Sequence, residues 1–435
     1  MGLWGCMISL LVNAQDAVSR PSARSQVNGF AAQGMVKTNH SSYTNETNKL
    51  SFRLTEIRLN SRFKINDSWS LAGQIVYLDV GNRYAKGGRV DYVFVDWEPS
   101  LFDDANWSFK AQVGRVKNNH WLYASTRDVP HTRLSTILPQ SMYFDGFRDV
   151  ALGSDRVALQ LVHLSPFGTW QYKWSYGASP INNAQRDQLF SPLAKGKLSQ
   201  DYTHQMSVYF APNNTNIEVG LSVLDSDFRY AANVAGHDPF VNGSATSQRV
   251  MLHGQYFAEN LELSAEIMCE RGVFKDALFT GFSSDQFGDG GYVQGRYLLN
   301  PKHSVIARID LYDMNENDRL GKRIPLQTQG VVPEYFTYMD QATLGWQWHI
   351  AEQWQLQTDV HLIKGSGRLT PILFPDPVLN PNKYWTMWSM QLTYLRLNDQ
   401  LADVWLYDAQ HGHHGCRRRH RRCASVQLVT RYEMR

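Results

Sequence analysis

The feature that most constrains this chain is an alternation of apolar and polar residues with a period of two. It is clear in TWQYKWSYG at 169–177, in LELSAEIMCE at 261–270 and in QWQLQTDVHL at 353–362. Because successive side chains of a β-strand point to opposite faces, each segment predicts a strand with one apolar and one polar face. The segments run for about nine to eleven residues, which is the length of a tilted strand that crosses a bilayer.

The connections between these segments follow a pattern of their own. Sixteen segments can be counted between residues 26 and 394, and short connections such as 258–260 and 350–352 alternate with long ones, of which 117–153 is the longest. A transmembrane barrel has short turns at one end and longer loops at the other, whereas a soluble sandwich has no reason to keep this order. We therefore predict an all-β fold, a transmembrane antiparallel β-barrel of about 16 strands over residues 26–394.

The dispersal of the apolar residues supports this prediction. The longest nearly apolar run, MISLLV at 7–12, is far shorter than the roughly 20 residues of a membrane-spanning helix. Aromatic residues make up 12% of the chain, yet the mean hydropathy is −0.40 because polar residues separate the apolar ones. A barrel with lipid outside and water inside explains both the high aromatic content and the negative mean hydropathy, because the apolar side chains face lipid and the polar ones face water. A soluble all-β protein that buries its aromatic stripes between two sheets remains the alternative.

The two ends of the chain differ from its body. Residues 1–14 have the features of a truncated signal peptide, because a short apolar segment ends in the small-residue sequence VNA, and residues 15–25 form a polar N-terminal segment. Residues 395–435 form an atypical Arg- and His-rich tail, which we interpret as disordered or as a frameshift or read-through product. The net charge of +3 comes from this tail, so the nearly neutral body lacks an electrostatic footprint for nucleic acid. The His and Cys spacing of the tail fits no zinc finger, and we predict neither a metal nor another cofactor.

The polar faces of the predicted strands supply candidate residues for the wall of the lumen. If the apolar faces meet lipid, the inward positions carry charges of both signs, which we expect to hold water and one another rather than to select ions of one sign. These candidate wall residues are Glu56, Arg58, Arg62, Lys110, Lys173, Glu262, Glu266, Arg296, Arg308, Asp310 and Asp359.

The longest connection, 117–153, is too long and too apolar to be a solvated flap. Loops of this kind are usually functional or packed, and we predict that it folds into the lumen and narrows it. Its candidate constriction residues are Arg127, Asp128, His131, Arg133, Asp145, Arg148 and Asp149. The alternative is an outward loop that Arg–Asp pairs clamp over the rim of the barrel.

Two sequence blocks carry a resemblance to a known family. They are GNRYAKGGRVDYVFVDW at 81–97 and HWLYASTRDVPHTRLSTILPQSMYFDGFRDVALGSD at 120–155. Together with the sixteen strands and the inserted third long loop, they make the chain similar to the Gram-negative outer-membrane porins, and in particular to a porin-like group of marine γ-proteobacteria. The resemblance implies short periplasmic turns, long extracellular loops, and passive diffusion of small hydrophilic solutes through a water-filled barrel in the bacterial outer membrane. It further implies contact with outer-membrane lipid and lipopolysaccharide, a possible homotrimer and no enzymatic activity.

Two other functions remain open at this stage. One is a substrate-specific outer-membrane channel, and the other is an outer-membrane β-barrel hydrolase, which would use Ser, His and Asp near a rim. For the hydrolase, the candidates are His163 with Ser165, or His361 with Asp359. The chain contains no GxSxG, HExxH or phosphate-binding motif in a usable context.

Overall fold

The chain forms a closed ring of strands. The computed structural model describes residues 25–100, 106–148, 150, 153–276, 279–327, 330, 332–369 and 382–396. Sixteen antiparallel strands each pair with their neighbours in the chain, and β1 pairs with β16 to close the barrel. The strands are β1 (Ser25–Asn39), β2 (Leu50–Lys64), β3 (Trp69–Asp79), β4 (Gly87–Trp97), β5 (Trp107–Lys117), β6 (Gly153–Ser165), β7 (Gly168–Ala178), β8 (Lys197–Pro212), β9 (Ile217–Ala231), β10 (Gly243–Phe257), β11 (Leu261–Lys275), β12 (Ser283–Asn300), β13 (His303–Asp313), β14 (Tyr338–Ala351), β15 (Trp354–Gly365) and β16 (Tyr384–Arg396).

Short helices occur only in the connections between the described strands. The α-helices are α1 (Gln140–Tyr143), α2 (Asn183–Leu189) and α3 (Arg323–Gln327), and single 3-10 turns cover Gly81–Arg83, Pro130–Thr132, Asp145–Phe147, Val234–Gly236, Glu316–Asp318 and Glu334–Phe336. Among the residues described, none of the helices has the length and apolarity that a bilayer crossing requires.

The strands show the predicted two-faced pattern. On β9, Ile217, Val219, Leu221 and Val223 are 40–48% exposed, whereas Ser222 and its inward neighbours are buried. Because the ring is closed, every strand has a hydrogen-bonded partner on both sides, as a sheet in hydrocarbon requires. The predicted barrel is thus confirmed, and the soluble alternative of two stacked sheets is wrong.

Aromatic side chains gather where the strands meet the short turns. Trp69 stacks on Trp97 at 5.8 Å, and Trp354 packs against Tyr394 at 4.8 Å. Trp107 stacks on His163 at 3.9 Å. Such rings favour the interface between lipid and water, so this row marks one edge of the apolar belt. We call this end of the barrel the turn end and the opposite end the loop end.

Several strands are longer than the alternating pattern predicts. β8–β12 have 15–18 residues and extend into regions that the sequence assigns to loops at 178–202, 226–246 and 271–290. The outward residues of these extensions are polar, for example Asp227, Arg229 and Arg271. Backbone pairing therefore continues past the apolar belt, where the alternation that marks the membrane-spanning part has already ended.

Candidate functional site: the lumen and its plug loop

The connection between β5 and β6 lies inside the barrel. We call residues 118–152 the plug loop, and its described members, 118–148 and 150, are all buried or half-buried. Its apolar residues Trp121, Ile137 and Tyr143 belong to one cluster with wall residues such as Met268 and Met339. The inward fold of the loop is confirmed, and the outward clamp over the rim is wrong. The resemblance implies an open, water-filled barrel. In the structure the loop packs against the wall around most of the circumference, so the lumen is narrower than that.

A local defect of the sheet lets the loop enter. β4 and β5 pair over only five positions, Val93–Trp97 with Ala111–Arg115. Gly114 adopts φ +129°, and a Cβ there would lie 2.6 Å from the Val93 carbonyl oxygen. Only glycine combines this backbone conformation with such a close approach of the neighbouring strand.

On the wall of β7–β9 the plug loop is held through His120. Its Nδ1 and Nε2 atoms lie 2.8 Å from the hydroxyls of Ser207 and Ser175, respectively. Ser222 donates to the His120 carbonyl oxygen. Burial lowers the pKa of His120 well below its usual value, with Arg156 and Lys173 adding to the effect. The ring is therefore neutral and can donate to one hydroxyl while it accepts from the other.

On β11 and β12 a buried carboxylate receives the loop. Glu266 accepts from the Leu122 N–H at 3.1 Å and from the hydroxyls of Tyr143 at 2.5 Å and Tyr292 at 2.7 Å. Three donors satisfy its oxygens, as burial of a carboxylate requires.

The wall of β13–β16 holds the loop mainly through its main chain. Thr136 donates its N–H to Asp359 at 2.7 Å, and Gln140 donates its N–H to Asp310 at 2.7 Å. Arg308 donates to the Ser135 hydroxyl at 2.6 Å and to the Ile137 carbonyl at 3.1 Å. Contacts of this kind depend on the path of the loop backbone, so they fix the plug in one position.

The wall of β2–β5 holds the loop through charge pairs. Asp128 lies 2.8 Å from Arg58 and 2.7 Å from Lys117. Arg133 donates to both carboxylate oxygens of Glu56, at 2.9 and 2.7 Å. Arg148, at the far end of the loop, lies 3.3 Å from Asp91 on β4 in the same way. Bidentate and charge-assisted bonds of this kind are the strongest that side chains make.

Asp145 connects the plug loop to two of the loops at the loop end. It accepts from Arg83, from the Tyr84 hydroxyl at 2.7 Å and from the Tyr43 hydroxyl. Burial alone would raise the pKa of Asp145, but the Arg83 guanidinium and these hydrogen bonds hold it below its usual value. Arg127 donates to the carbonyl oxygens of Tyr143 and Phe144 on the same loop.

The remaining predicted constriction residues have different surroundings. His131 lies with its ring 5.8 Å from that of His349, and burial lowers the pKa of His131 to about 3, so the ring stays neutral. Asp149 lies outside the described residues. No role in a constriction follows from these positions alone, and the assignment stays a prediction.

The other predicted wall residues also face the interior. Towards the turn end, Arg62 and Lys110 share Asp96 at 2.8 and 3.3 Å, and Arg296 pairs with Glu262. Lys173 donates to the Asn119 carbonyl at 2.9 Å and lies 4.2 Å from the ring centre of Tyr209. The wall charges thus pair with one another and with the plug loop.

The plug loop also crosses the seam at which the first and last strands meet. Val129 packs between Phe30 of β1 and Leu395 of β16, and all three side chains are at most 4% exposed. Further along the loop, Arg133 binds β2 through Glu56, whereas the Thr136 hydroxyl lies 2.6 Å from the Ser389 hydroxyl of β16. A stretch of eight loop residues therefore contacts strands on both sides of the seam.

The residues considered for a hydrolase do not meet. His163 lies on the outer face against Trp107, and Ser165 ends β6 at the turn end. Asp359 and His361 lie on the inner face of β15, where the hydroxyl that hydrogen-bonds to the His361 ring belongs to Thr343 and not to a serine. In the part of the chain that the structure describes, no cluster of three metal-ligating side chains occurs.

Sequence reasoning missed several residues of this site. Tyr43, Arg83 and Tyr84 lie in connections for which an alternating pattern makes no prediction. Asp91 lies in an apolar-looking segment, and a register shift between Gln74 and Ile75 makes β4 change faces there. No residue spacing reveals such a bulge, so the inward orientation of this carboxylate could not be predicted.

Comparisons with known proteins agree with the fold. No model of a protein family and no curated protein matches the sequence. Among solved structures, a loop L8 deletion mutant of OmpT, an outer membrane protein of Vibrio cholerae, is 11% identical with a TM-score of 0.53, over 86% of this chain and 99% of that one. OprB of Pseudomonas putida is 12% identical with a TM-score of 0.54, over 90% and 97%. An anion-selective porin from Comamonas acidovorans is 10% identical with a TM-score of 0.52, over 86% and 99%. The closed sixteen-stranded antiparallel barrel therefore shares its fold with outer-membrane porins.

Proposed function

We propose that the chain is a channel of the bacterial outer membrane through which small hydrophilic solutes diffuse passively. The observation that carries this proposal is a polar, charge-paired inner wall inside a closed ring whose outer face is apolar. A barrel that serves only as an anchor does not need such a wall. In a pore, the same wall offers hydrogen bonds and charges that stabilise water and hydrophilic solutes.

The packing of the plug loop favours a restricted, substrate-specific channel over a wide general pore. In a wide pore the wall side chains at mid-height are wetted, but here Glu56, Arg58, Asp310 and Asp359 are at most 2% exposed. Solutes therefore have to pass along the plug loop or displace it. The loop then sets both the size limit and the chemical preference of the channel.

The surroundings of the barrel follow from the same proposal. The apolar belt meets outer-membrane lipid, and the polar strand extensions at the loop end lie at the level of the lipopolysaccharide headgroups. A trimer form of the in-vitro folded OmpT supports a homotrimer for this chain. An apolar groove of about 550 Å³ on the outer face of β1–β4, lined by Gly29, Leu59 and Tyr77, offers a surface for self-association.

Planar-bilayer recording on the refolded full chain tests the channel proposal. We expect small conductance steps from the native chain and steps several-fold larger when residues 120–148 are replaced by a short Gly-Ser linker. A matched control shortens the exposed segment 233–237 of the β9–β10 connection and should leave the steps unchanged. Heat-modifiable migration on gels reports whether each barrel has folded. Folded barrels that conduct in neither form would refute the proposal.

A further inference from the structure

The inner wall of β14–β16 carries a column of polar atoms whose hydrogen-bonding capacity is not used. On β15, every second residue from Gln355 to His361 faces inward and is at most 2% exposed. The atoms that lack a hydrogen-bond partner within the described chain are Gln355 Nε2 and Oε1, Gln357 Oε1, Asp359 Oδ1, His361 Nε2 and, on β16, Gln391 Oε1. Both amide atoms of Gln355 are among them.

Such a run of atoms calls for a physical explanation. Buried polar groups in folded proteins are almost always paired with protein atoms or with ordered water. A single exception can be tolerated, but six neighbouring atoms on two paired strands cannot all remain dry, because each has lost its hydration. A polar cavity that offers several partners to each water is the kind of site that holds water.

The plug loop lies against this wall but uses only part of it. Gln357 donates to the Arg133 carbonyl at 2.7 Å, and Gln347 on β14 donates to the Leu134 carbonyl at 3.0 Å. Asp359 uses only its Oδ2 atom for the Thr136 N–H. The remaining atoms of the column therefore lie beside the loop segment rather than in contact with its donors and acceptors.

The cross-strand neighbours of the column are uncharged, so within the column the charge belongs to Asp359. The cross-strand neighbours of Gln357 are Gln347 and Gln391, and the neighbours of Asp359 are Gly345 and Ser389. A Cβ on Gly345 would lie 2.2 Å from the Asp359 Oδ1 atom, so only glycine leaves room for this carboxylate.

The column has a defined direction through the barrel. Gln355 is the second residue of β15 and lies next to the turn end. Met387 lies opposite His361, and Ile363 and Met339 follow towards the loop end; all three belong to the apolar cluster around the plug loop. Gln341, opposite Ile363, is a polar inward residue among them. The column thus runs from the turn end to a mainly apolar region near the loop end.

We propose that this column is hydrated and forms the turn-end half of the solute path, with a preference for small, uncharged, hydrogen-bonding solutes such as short amides and polyols. Amide side chains offer donors and acceptors in equal number, so they can replace the water around such solutes. An ion would lose its hydration without a ring of opposite charge to replace it. This inference rests on the proposed channel function, of which it names the route and the solute class.

Thiol accessibility tests the hydration. Gln355→Cys and Gln357→Cys are introduced singly into the full chain, with its four native cysteines replaced by serine, and a small hydrophilic thiosulfonate is added to vesicles that contain the protein. We expect both positions to react. The matched control is Gln205→Cys on β8, because the side-chain Oε1 of Gln205 already accepts from Arg156 at 2.9 Å and the residue is 2% exposed. The cysteine at position 205 should stay unreactive. Absence of reaction at positions 355 and 357 in folded protein would overturn the proposal.

Solute flux separates this route from the channel function itself. Gln355→Met and Gln357→Met keep the side-chain length but remove the hydrogen bonds, and we expect several-fold slower swelling of vesicles in urea or glycerol. Gln205→Met should lower stability while leaving the flux unchanged. If the two methionine variants pass solutes as fast as the native chain, the proposed route is overturned while the channel function stands. A higher stability of these variants would then indicate that the wall is dry. If the native chain admits no solute at all, the proposed channel function fails as well.

Discussion

The bidentate pair between Arg133 and Glu56 is the contact whose loss should most weaken the docking of the plug loop. Both side chains are buried, and the two N–O distances are 2.9 and 2.7 Å. Removing one partner of a buried pair costs about 3–5 kcal/mol, because the other charge is left uncompensated. The cost applies only to the docked loop, since Arg133 regains water once the loop is released. Glu56→Gln keeps one acceptor oxygen, so we expect it to lower the docking free energy of the plug loop by about 3 kcal/mol, the lower end of this range.

This free energy corresponds to a measurable change in loop opening. At about 1.4 kcal/mol for each factor of ten, the ratio of docked to released loop should fall about a hundredfold in Glu56→Gln. Hydrogen exchange of the peptide around 130–140, read by mass spectrometry in detergent or vesicles, reports this ratio. The Thr136 amide, which is bonded to Asp359, is the most informative proton.

The control uses an ion pair on the surface at the turn end. Lys64 and Asp67 lie 2.9 Å apart, and both side chains are more than half exposed. Exposed pairs contribute little, so Asp67→Asn should leave the exchange of the plug loop unchanged. An unchanged exchange rate in Glu56→Gln, measured on a barrel that is still folded, would refute the view that this pair holds the loop. Combining Glu56→Gln with Arg133→Met should restore part of the protection, because no buried charge then remains unpaired.

Three further predictions concern acid, lipid and the sheet defect. The folded-state pKa of Asp145 is lowered, so its contribution to stability is fully present above its unfolded pKa of about 3.9 and is lost as the pH falls through the folded value. The difference in unfolding free energy between the native chain and Asp145→Asn should therefore be constant from about pH 8 to 5 and shrink below about pH 4. A difference that grows in acid would contradict this prediction. Leu344 faces lipid and is 69% exposed, so Leu344→Arg should lower the free energy of unfolding from vesicles by about 2–4 kcal/mol, whereas Phe167→Arg in a turn should have little effect. Gly114→Ala should destabilise the barrel by more than about 1 kcal/mol, because the alanine Cβ would clash with the Val93 carbonyl oxygen at a positive φ. Denaturant titration measures the effects of Leu344→Arg and Gly114→Ala. An unchanged stability of Gly114→Ala would show that β4 can move.

The barrel could be predicted from the sequence because the bilayer imposes a simple pattern. Segments such as 353–362 alternate without interruption, since one face of β15 meets lipid and the other meets polar groups of the interior. The alternation stops being informative where the outward face is polar as well, as at Asp227 and Arg229, and there the predicted strands are too short. Backbone pairing does not depend on side-chain polarity, so no pattern marks where a strand outside the belt ends.

The candidate site was predicted only in part, for a different reason. Residue type and inward parity identify Glu56, Asp310 and Asp359 as wall positions, and the apolar content of 117–153 indicates a packed loop. Which wall residue meets which loop residue depends on the path of the loop in three dimensions. Glu56 and Arg133 lie 77 positions apart in the chain, and sequence spacing carries no information about contacts of that kind.

The contacts of the plug loop with both sides of the seam have a consequence for the closure of the ring. Val129, Arg133 and Thr136 come from the first half of the chain, yet two of them complete their contacts only when β16 is in place. These contacts contribute free energy only when the seam is closed and the loop is docked. Docking of the loop and closure of the seam therefore stabilise one another, and a change that loosens one should loosen the other.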